Sequence, residues 1–371
     1  MEDPGVSFVP PAYPYERLDG LKELAKVHEG GAIDCSIGTP IDAPPAFVLA
    51  ELARGVGARG YPASAGSPQY RDACVSWIER RFGVRLSVDQ LAACVGTKEF
   101  VGTLAGYLHL RSPERDTVLY PAISYPTYAM GATLAGLRAV AVTVKDGQLD
   151  LASINPADIE RALVLWCNSP ANPTGALDDL EGLALWGRRH GVLVASDECY
   201  AEFTWAGRPR SILEHGTEGV LAVHSISKRS NLAGLRAGFY AGDGDVVAFL
   251  RLVRQHAGFM VPGPVQSAVA LAYGDDEHVD AQRAIYRARL ELLSEALATF
   301  DVHAPMPEGA FYLWCSRDGL DGWELAALLA ETSGIVSSPG ELYGDGDRFV
   351  RVAVVQPDER LELAASRLRG R

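Results

Sequence analysis

The sequence predicts an α/β protein in which a mostly parallel sheet is covered by helices. From about residue 36 to residue 275, short apolar runs alternate with segments of helix length, and this alternation is typical of βαβ units. After Gly274 the pattern changes to one long charged helix followed by two strands, which indicates a smaller α+β domain. Hydrophobic residues form 48% and charged residues 22% of the 371 residues, as in folded globular proteins.

The predicted elements follow one another in a simple order. An arm with four prolines leads into one amphipathic helix with the pattern ERLDGLKELAKVH. The predicted strands of the large sheet are LAACVG, TVLYP, RAVAVTV, RALVLWCN, GVLVASDE, GVLAVHS and AGFYAGD, and those of the smaller domain are FYLWC and RFVRVAVV. We therefore predict an arm and helix over residues 1–40 that belong to the small domain, a large domain over residues 41–274, and the rest of the small domain over residues 275–371.

Charge and cysteine content limit the partners and the compartment. The net charge is −13 and the Lys and Arg residues are scattered, so we expect no nucleic-acid partner. The six cysteines form no C-x-x-C pair, the first residues lack the pattern of a signal peptide, and no apolar run reaches the roughly 18 residues of a membrane span. We therefore expect a cytoplasmic protein with reduced cysteines and no membrane partner.

Two GDGD segments, at residues 242–245 and 344–347, resemble fragments of a calcium-binding loop. The other ligands of an EF-hand loop are missing around both segments. We interpret them as turns and expect no metal site.

Polar residues follow four of the predicted strands. LAACVG leads into Thr97 at the start of a helix, RALVLWC into Asn172, GVLVAS into Asp197 and Tyr200, and GVLAVH into Lys228. Ligands of doubly wound sheets bind beyond the carboxyl ends of the strands. We therefore expect these side chains to share one site.

The stretch SISKRSNLAGLRAG contains two cations, Lys228 and Arg236, among Gly, Ala and Leu residues that indicate burial. A buried cation is unfavourable unless a partner compensates its charge. A phosphate group would compensate Arg236, with Thr97 and Ser225 as further donors. The sequence therefore predicts a phosphorylated ligand.

The remaining polar residues restrict the ligand further. Asp197 suits a basic ring nitrogen, Asn172 and Tyr200 suit a phenolic oxygen, and the amine of Lys228 suits an aldehyde. Pyridoxal 5'-phosphate (PLP) carries all of these groups.

Each of these residues also has a purely structural interpretation. GTKE is an ordinary helix start, Asp197 a possible helix N-cap and Asn172 a turn residue between prolines. The combination and its order along the chain favour PLP. No dinucleotide, Walker, zinc-protease or serine-hydrolase motif competes for the same segments.

Seven segments resemble those of a known family: GYPASAGSPQYRDA, GTKEF, SYPTY, NSPANPTG, SDECY, SISKRSNLAG and RQHAGFMVPGPVQ. Over nearly its full length the chain resembles the class I/II aminotransferases of PLP fold type I. The resemblance implies a large domain with a mostly parallel seven-stranded sheet between helices, a smaller α+β domain, and a homodimer whose active site is shared across the interface. Within the family, the chain is most similar to actinobacterial-type N-succinyldiaminopimelate aminotransferases.

That narrower similarity implies a specific activity. The enzyme would exchange an amino group between glutamate/2-oxoglutarate and N-succinyl-LL-2,6-diaminopimelate, in lysine and diaminopimelate biosynthesis. Three alternatives stay open: another amino-acid substrate, aspartate-like or from a natural-product pathway; another PLP reaction, such as that of a lyase or decarboxylase; and a PLP-sensing regulator. The regulator is disfavoured because we find no basic N-terminal helix-turn-helix segment.

The resemblance also implies a role for each matching residue. Lys228 carries the cofactor covalently and moves the proton, Asp197 keeps the ring nitrogen protonated, and Tyr125 stacks on the ring. Asn172 and Tyr200 hold the phenolic oxygen. The cofactor phosphate is held by Thr97, the backbone of Lys98, Ser225, Arg236 and the partner's Tyr61. Gly96 and Ser227 are further cofactor-binding residues.

The α-carboxylate side of the substrate is implied in the same way. Arg351 forks onto the carboxylate, a bidentate task that suits Arg better than Lys. Gly38 lies on the substrate loop, and Asn172 contacts the substrate as well as the cofactor.

The distal end of the substrate is where the chain departs from dicarboxylate-specific aspartate enzymes. His256 stands where those enzymes carry an arginine, and Arg254 precedes it by two residues. We expect Arg254, His256 and Tyr15 to surround the distal group. The alternative is that Arg254 lies on a solvated helix and that His256 packs in the dimer interface.

Overall fold

The structure, a computed structural model, describes residues 14–344 and 346–370. Its α-helices are α1 (Asp19–Ala25), α2 (Ala46–Ala53), α3 (Pro68–Phe82), α4 (Thr97–Arg111), α5 (Thr127–Leu134), α6 (Pro156–Arg161), α7 (Leu180–His190), α8 (Ile226–Arg229), α9 (Gly244–His256), α10 (Gly263–Gly274), α11 (Glu277–Ala298), α12 (Gly322–Ser333) and α13 (Asp358–Arg369). Its strands are β1 (Ile33–Asp34), β2 (Leu91–Cys94), β3 (Thr117–Pro121), β4 (Arg138–Val142), β5 (Val144–Lys145), β6 (Gln148–Leu149), β7 (Ala162–Asn168), β8 (Leu193–Asp197), β9 (Val220–Ser225), β10 (Gly238–Gly242), β11 (Tyr312–Ser316), β12 (Ile335–Val336), β13 (Ser338–Pro339) and β14 (Phe349–Ala353).

A seven-stranded sheet forms the centre of the chain, in the order β2-β10-β9-β8-β7-β3-β4. The pairings from β4 to β9 are parallel, whereas β10 is antiparallel to both β9 and β2. Every residue of β7, β8 and β9 is buried, which is why these strands occur in the sequence as continuous apolar runs. The prediction of a mostly parallel, seven-stranded sheet is confirmed.

The reversed strand β10 decides which residues meet at one edge of this sheet. Strands β2, β7, β8 and β9 end at this edge and β10 begins there, because Gly238 pairs with both Cys94 and Ser225. Residues that precede β10 therefore lie beside residues that follow β2 and β9. This arrangement brings Arg236 next to Gly96, at the start of α4.

A smaller antiparallel sheet, in the order β11-β14-β13, lies in the C-terminal part of the chain. One hydrophobic cluster joins residues of α1 and β1 to residues of α11, α12, α13 and this sheet. Two further clusters contain alternate residues of the strands of the seven-stranded sheet and therefore lie on the two faces of that sheet. The predicted domain boundary falls between α10 and α11, and the division itself stays a prediction.

Several sequence features lie away from the strand ends. The six cysteines carry free thiols, and all but Cys199 are buried. In residues 14–344 and 346–370, no helix is long and apolar enough to span a membrane, and no group of His, Cys, Asp and Glu is placed to hold a metal ion. In the first GDGD segment Asp243 caps α9 by accepting from two backbone N–H groups, and Asp345 of the second lies outside the described residues.

Candidate active site

A cavity of about 420 Å³ lies at the edge where β7, β8 and β9 end. The large sheet supplies the residues that follow its strands, and β11 and β14 supply the opposite wall. The structure brings most of the predicted site residues to this cavity: Tyr15, Gly38, Thr97, Lys98, Tyr125, Asn172, Asp197, Tyr200, Ser225, Ser227, Lys228, Arg236 and Arg351.

Lys228 lies on α8, the single helical turn that follows β9. Its side chain is half-buried, and its Nζ donates a hydrogen bond to the backbone oxygen of Gly38. Burial lowers the pKa of Lys228 to about 8. The depressed pKa raises the fraction of neutral amine, which is the form that attacks an aldehyde.

We expect covalent attachment of PLP to the apoprotein to accelerate as the pH rises through about 8. At pH 7 a lysine with a pKa of about 8 is roughly one-tenth neutral, whereas an ordinary lysine is less than about 0.1% neutral. Above about pH 9 the rate should level off. The measurement is the amount of cofactor that borohydride fixes to the chain after short incubations at each pH. A rate that rose tenfold per unit up to about pH 10 would contradict the depressed pKa.

Asp197 is the last residue of β8 and is buried. Its Oδ2 accepts from the hydroxyl of Tyr128 at 2.9 Å, and its Oδ1 accepts from the backbone N–H of Cys199 at 3.2 Å. Burial raises the pKa of Asp197, while hydrogen bonds from Cys199 and Tyr128 oppose this shift. A cationic ligand group beside Asp197 would stabilise the carboxylate that burial disfavours.

Gly96, at the N-terminus of α4, packs directly against Arg236. Gly96 has φ +76°, and a Cβ at this position would lie 2.2 Å from Nη2 of Arg236. The positive φ favours glycine at this position, and a Cβ there would force the guanidinium to move. The N-terminus of α4 and the guanidinium together form a site for an anion, beside Ser225 and Thr97.

The prediction that Arg236 is buried is wrong, because its side chain is exposed. Leu232 is buried and Leu235 packs against the same core, while the Arg236 guanidinium lines the cavity and donates to the Ala233 oxygen at 2.9 Å. Compensation of a buried charge is thus not the reason for an anion here. The anion site is instead supported by the position of Arg236 beside the start of α4.

Arg351 lies on β14 at the other end of the cavity and is 2% exposed. Its Nη1 donates to Oδ1 of Asn172 at 2.7 Å, and its Nη2 donates to the Ser36 oxygen at 2.5 Å. The guanidinium also lies against two aromatic rings, at 4.3 Å from the centroid of Tyr312 and 4.9 Å from that of Tyr343. Among the described residues no carboxylate forms an ion pair with it, so it is placed to receive one from a ligand.

The structure does not bring Arg254 and His256 to this cavity. Arg254 is buried and forms a bidentate ion pair with Glu99, at 2.8 and 2.7 Å. Oε2 of Glu99 also accepts a hydrogen bond from the Val95 backbone N–H at 3.1 Å. His256 ends α9 and is exposed. Arg254 therefore supports the turn that precedes α4, and neither residue contacts the cavity from within this chain. Tyr61 is 99% exposed, and its predicted contact through a partner subunit stays a prediction.

Sequence reasoning missed several residues of the site. Tyr128 lies in the first turn of α5, three residues after Tyr125, and its partner Asp197 is 69 positions away, so no local pattern indicated this contact. Cys199, which lines the cavity and donates to the Thr97 hydroxyl at 3.3 Å, lies between two predicted residues. Tyr312 carried no signal, because it occurs inside an ordinary strand pattern. Its hydroxyl lies 2.7 Å from that of Tyr200.

The residues present fit PLP. The anion site at Gly96 and Arg236 suits the phosphate, and the buried carboxylate of Asp197 suits a protonated ring nitrogen. Arg351 holds the amide oxygen of Asn172, which leaves the amide NH₂ as a donor for the phenolic oxygen. Lys228 supplies the amine at the centre of the same cavity.

Comparisons with known proteins agree with this geometry. The family model for aminotransferase class I and II matches residues 33–368. The 4-dedimethylamino-4-oxo-anhydrotetracycline transaminase of Streptomyces rimosus is 39% identical, over 96% of this chain and 99% of its own length. The LL-diaminopimelate aminotransferase of Syntrophobacter fumaroxidans is 32% identical, over 97% of this chain and 96% of its own.

A solved structure extends the similarity to three dimensions. The probable N-succinyldiaminopimelate aminotransferase of Thermus thermophilus is 31% identical and superposes with a TM-score of 0.86, over 96% of this chain and 99% of its own. The match of sequence, fold and site covers nearly the whole chain. The chain therefore belongs to the class I and II aminotransferases, which are PLP-dependent enzymes of fold type I.

Proposed function

We propose that the enzyme exchanges an amino group between glutamate/2-oxoglutarate and N-succinyl-LL-2,6-diaminopimelate, as part of lysine and diaminopimelate biosynthesis. The observation that carries this proposal is the charge of the cavity wall. Among the described residues, four cationic side chains line it, Lys98, Lys228, Arg236 and Arg351, against one carboxylate, that of Asp197. A cavity with this charge attracts anionic ligands although the chain as a whole is negative.

The proposed roles follow from the positions of the residues. Arg351 and Asn172 orient the α-carboxylate, so that the α-carbon lies towards Lys228. Nζ of Lys228, with its depressed pKa, is placed to take the proton from the α-carbon of the substrate. PLP supplies an electron sink for the bond to hydrogen. Asp197 holds the ring nitrogen, and Tyr125 covers the ring.

The wall charge also distinguishes between two diaminopimelate substrates. Free LL-diaminopimelate carries a distal ammonium group, which needs an acidic partner when it leaves water. Among the described residues that line the cavity, Asp197 is the only acid, and it is buried. In the succinylated compound this ammonium is replaced by an amide and a further carboxylate. The outer residues Tyr15, Thr39 and Lys98 offer hydroxyl groups and a cation to such a group.

A second candidate is a transaminase of a natural-product pathway. The Streptomyces rimosus relative acts on a polycyclic ketone, and it matches this chain over nearly the full length of both. The outer part of the cavity, with Ile37 and two tyrosines, could pack against an apolar ring system as well as against a methylene chain.

A substrate panel separates these candidates. The rate at which each amino compound changes the absorption of the bound cofactor in a single turnover would be measured for N-succinyl-LL-diaminopimelate, LL-diaminopimelate, aspartate and glutamate. The 4-oxo-anhydrotetracycline ketone would be tested as acceptor with glutamate as donor. We expect the succinylated compound and glutamate to react fastest. Faster reaction of LL-diaminopimelate or of the polycyclic ketone would overturn the proposed substrate.

We expect Arg351→Ala to lower kcat/KM about 150- to 5,000-fold for every substrate with an α-carboxylate. Loss of one partner from a buried charged pair costs about 3–5 kcal/mol, and each 1.36 kcal/mol is a factor of ten. Arg351→Lys should recover only part of the loss, since an ammonium cannot form the bidentate fork. A primary amine without a carboxylate is the control substrate. Its slow rate of reaction should be the same in Arg351→Ala, in Arg351→Lys and in the parent. Loss of its reaction as well would point to a collapsed site.

We propose further that two copies of the chain form a homodimer and that Tyr61 completes the phosphate site of the partner subunit. An aromatic ring that is 99% exposed, in a segment with the exposed Phe47, Leu49 and Val56, indicates a surface that another molecule covers. Mixed and re-equilibrated Tyr61→Ala and Lys228→Ala proteins should regain up to about a quarter of the parent activity, since one kind of mixed site is intact. An active monomer at assay concentration would refute this proposal.

A further inference from the structure

Tyr312, at the start of β11, contacts three separate parts of the active site. Its hydroxyl lies 2.7 Å from the hydroxyl of Tyr200, and its ring lies 4.3 Å from the guanidinium carbon of Arg351. A Cβ at Gly38 would lie 2.1 Å from the Tyr312 hydroxyl, so the close approach of the two segments requires glycine there. Tyr312 is 1% exposed, and its ring is held by packing on Phe311.

The direction of the hydrogen bond between the two phenols follows from their surroundings. Either hydroxyl could donate, and only one proton lies between the two oxygens. When Tyr200 donates its own proton to the phenolic oxygen of the cofactor, its oxygen keeps lone pairs and accepts from Tyr312. Burial raises the pKa of both phenols, so both hydroxyls keep their protons at neutral pH. Tyr312 is then the donor and Tyr200 the central member of a chain of two hydrogen bonds.

We propose that Tyr312 is a positioning residue with two separable functions, one for its hydroxyl and one for its ring. The hydroxyl polarises Tyr200 towards the cofactor, because a phenol that accepts a hydrogen bond donates a stronger one. The ring holds the plane of the Arg351 guanidinium for the α-carboxylate. This inference rests on the roles proposed above for Tyr200 and Arg351, and it does not depend on which amino acid is the substrate.

The first function has a spectroscopic consequence. The nitrogen that joins Lys228 to the cofactor gains and loses a proton beside the phenolic oxygen, and the absorption band shifts with this proton. A donor to that oxygen stabilises the deprotonated form, in which no neighbouring proton compensates the negative oxygen. A weaker donor therefore raises the pH midpoint of the absorption change. Loss of the Tyr312 hydroxyl should act in this direction through Tyr200.

The test compares Tyr312→Phe and Tyr312→Leu in the cofactor-loaded enzyme. Tyr312→Phe should raise the pH midpoint of the absorption change by about 0.3–0.5 units. This is the size expected when one further hydrogen bond in a chain strengthens a charged hydrogen bond by a fraction of its energy. Tyr312→Phe should leave the dissociation constant of propionate, a simple carboxylate, within about twofold of the parent. Tyr312→Leu should shift the midpoint equally and weaken propionate binding about 5- to 30-fold.

Tyr343→Phe is the matched control. Tyr343 also lies against Arg351, but its hydroxyl pairs with that of Tyr15 at 3.0 Å, so the spectral midpoint should not move. An unchanged midpoint in Tyr312→Phe, or equal loss of propionate binding in both Tyr312 variants, would overturn the inference. If the parent chain itself showed no pH-dependent absorption after incubation with PLP, the cofactor roles would fail instead. Failure of the proposed diaminopimelate substrate would affect neither readout.

Discussion

Lys228→Ala should abolish turnover, with a loss of at least about 10⁴-fold, because the same amine anchors the cofactor and moves the α-proton. The anchoring is expected because Lys228 lines the cavity and has a pKa of about 8. Borohydride should no longer fix the cofactor to the variant chain, and the pH-dependent absorption should disappear. Mass spectrometry of the reduced protein gives the direct measurement.

Lys98→Ala is the control for this experiment. Lys98 lines the same cavity, and its Nζ lies 5.9 Å from the centroid of Tyr125. It is therefore a second amine within reach of a small aldehyde. We expect borohydride to fix the cofactor to Lys98→Ala as in the parent. If the cofactor were still fixed to Lys228→Ala and not to Lys98→Ala, the assignment of the anchoring lysine would be reversed.

Asp197→Ala should retain some cofactor and slow each half-reaction by about two to four orders of magnitude. Removal of the carboxylate leaves the ring nitrogen without its anionic partner, a loss of the size seen for broken buried ion pairs, about 3–5 kcal/mol. Stopped-flow absorption with glutamate measures the half-reaction directly. Near-normal rates would show that the ring nitrogen does not need Asp197.

Asp178→Asn provides a matched control for Asp197. Asp178 is another shielded carboxylate near the NPTG segment, and burial raises its pKa to about 6. It accepts from the backbone N–H of Leu149 at 3.1 Å and does not line the main cavity. The amide oxygen of asparagine can accept the same bond, so the half-reaction rate should stay within a few-fold of the parent. An equal loss in both variants would indicate a general effect of buried charge.

The large sheet could be predicted because its central strands are buried on both faces. Such strands must be apolar throughout, and the run from Ala162 to Asn168 shows this pattern without ambiguity. The direction of β10 could not be predicted, since an apolar run has no marker of parallel or antiparallel pairing. That direction determines that Arg236 stands beside Gly96.

The candidate site was partly predictable for a related reason. Residues such as Asp197 and Lys228 follow strands directly, so the sheet alone brings them to one edge. Arg254 shows the limit of this reasoning, because its partner Glu99 is 155 positions away in the sequence and on another helix. A cationic residue in that segment can pair with an internal carboxylate instead of the substrate, and the sequence alone does not distinguish the two arrangements.

The sequence by itself thus determined the fold class, the cofactor and the residues at the strand ends, because these depend on local composition and on the order of segments. The tertiary structure alone decided the contacts between distant segments. In that structure Arg351 donates to Asn172, Arg254 is buried in an ion pair, and the hydroxyl of Tyr312 lies beside that of Tyr200. The contacts of Arg351 and Tyr312 depend on the packing of the C-terminal sheet against the strand ends, and that of Arg254 depends on the packing of α9 beside α4. Side-chain distances across such packing leave no periodic pattern in the chain.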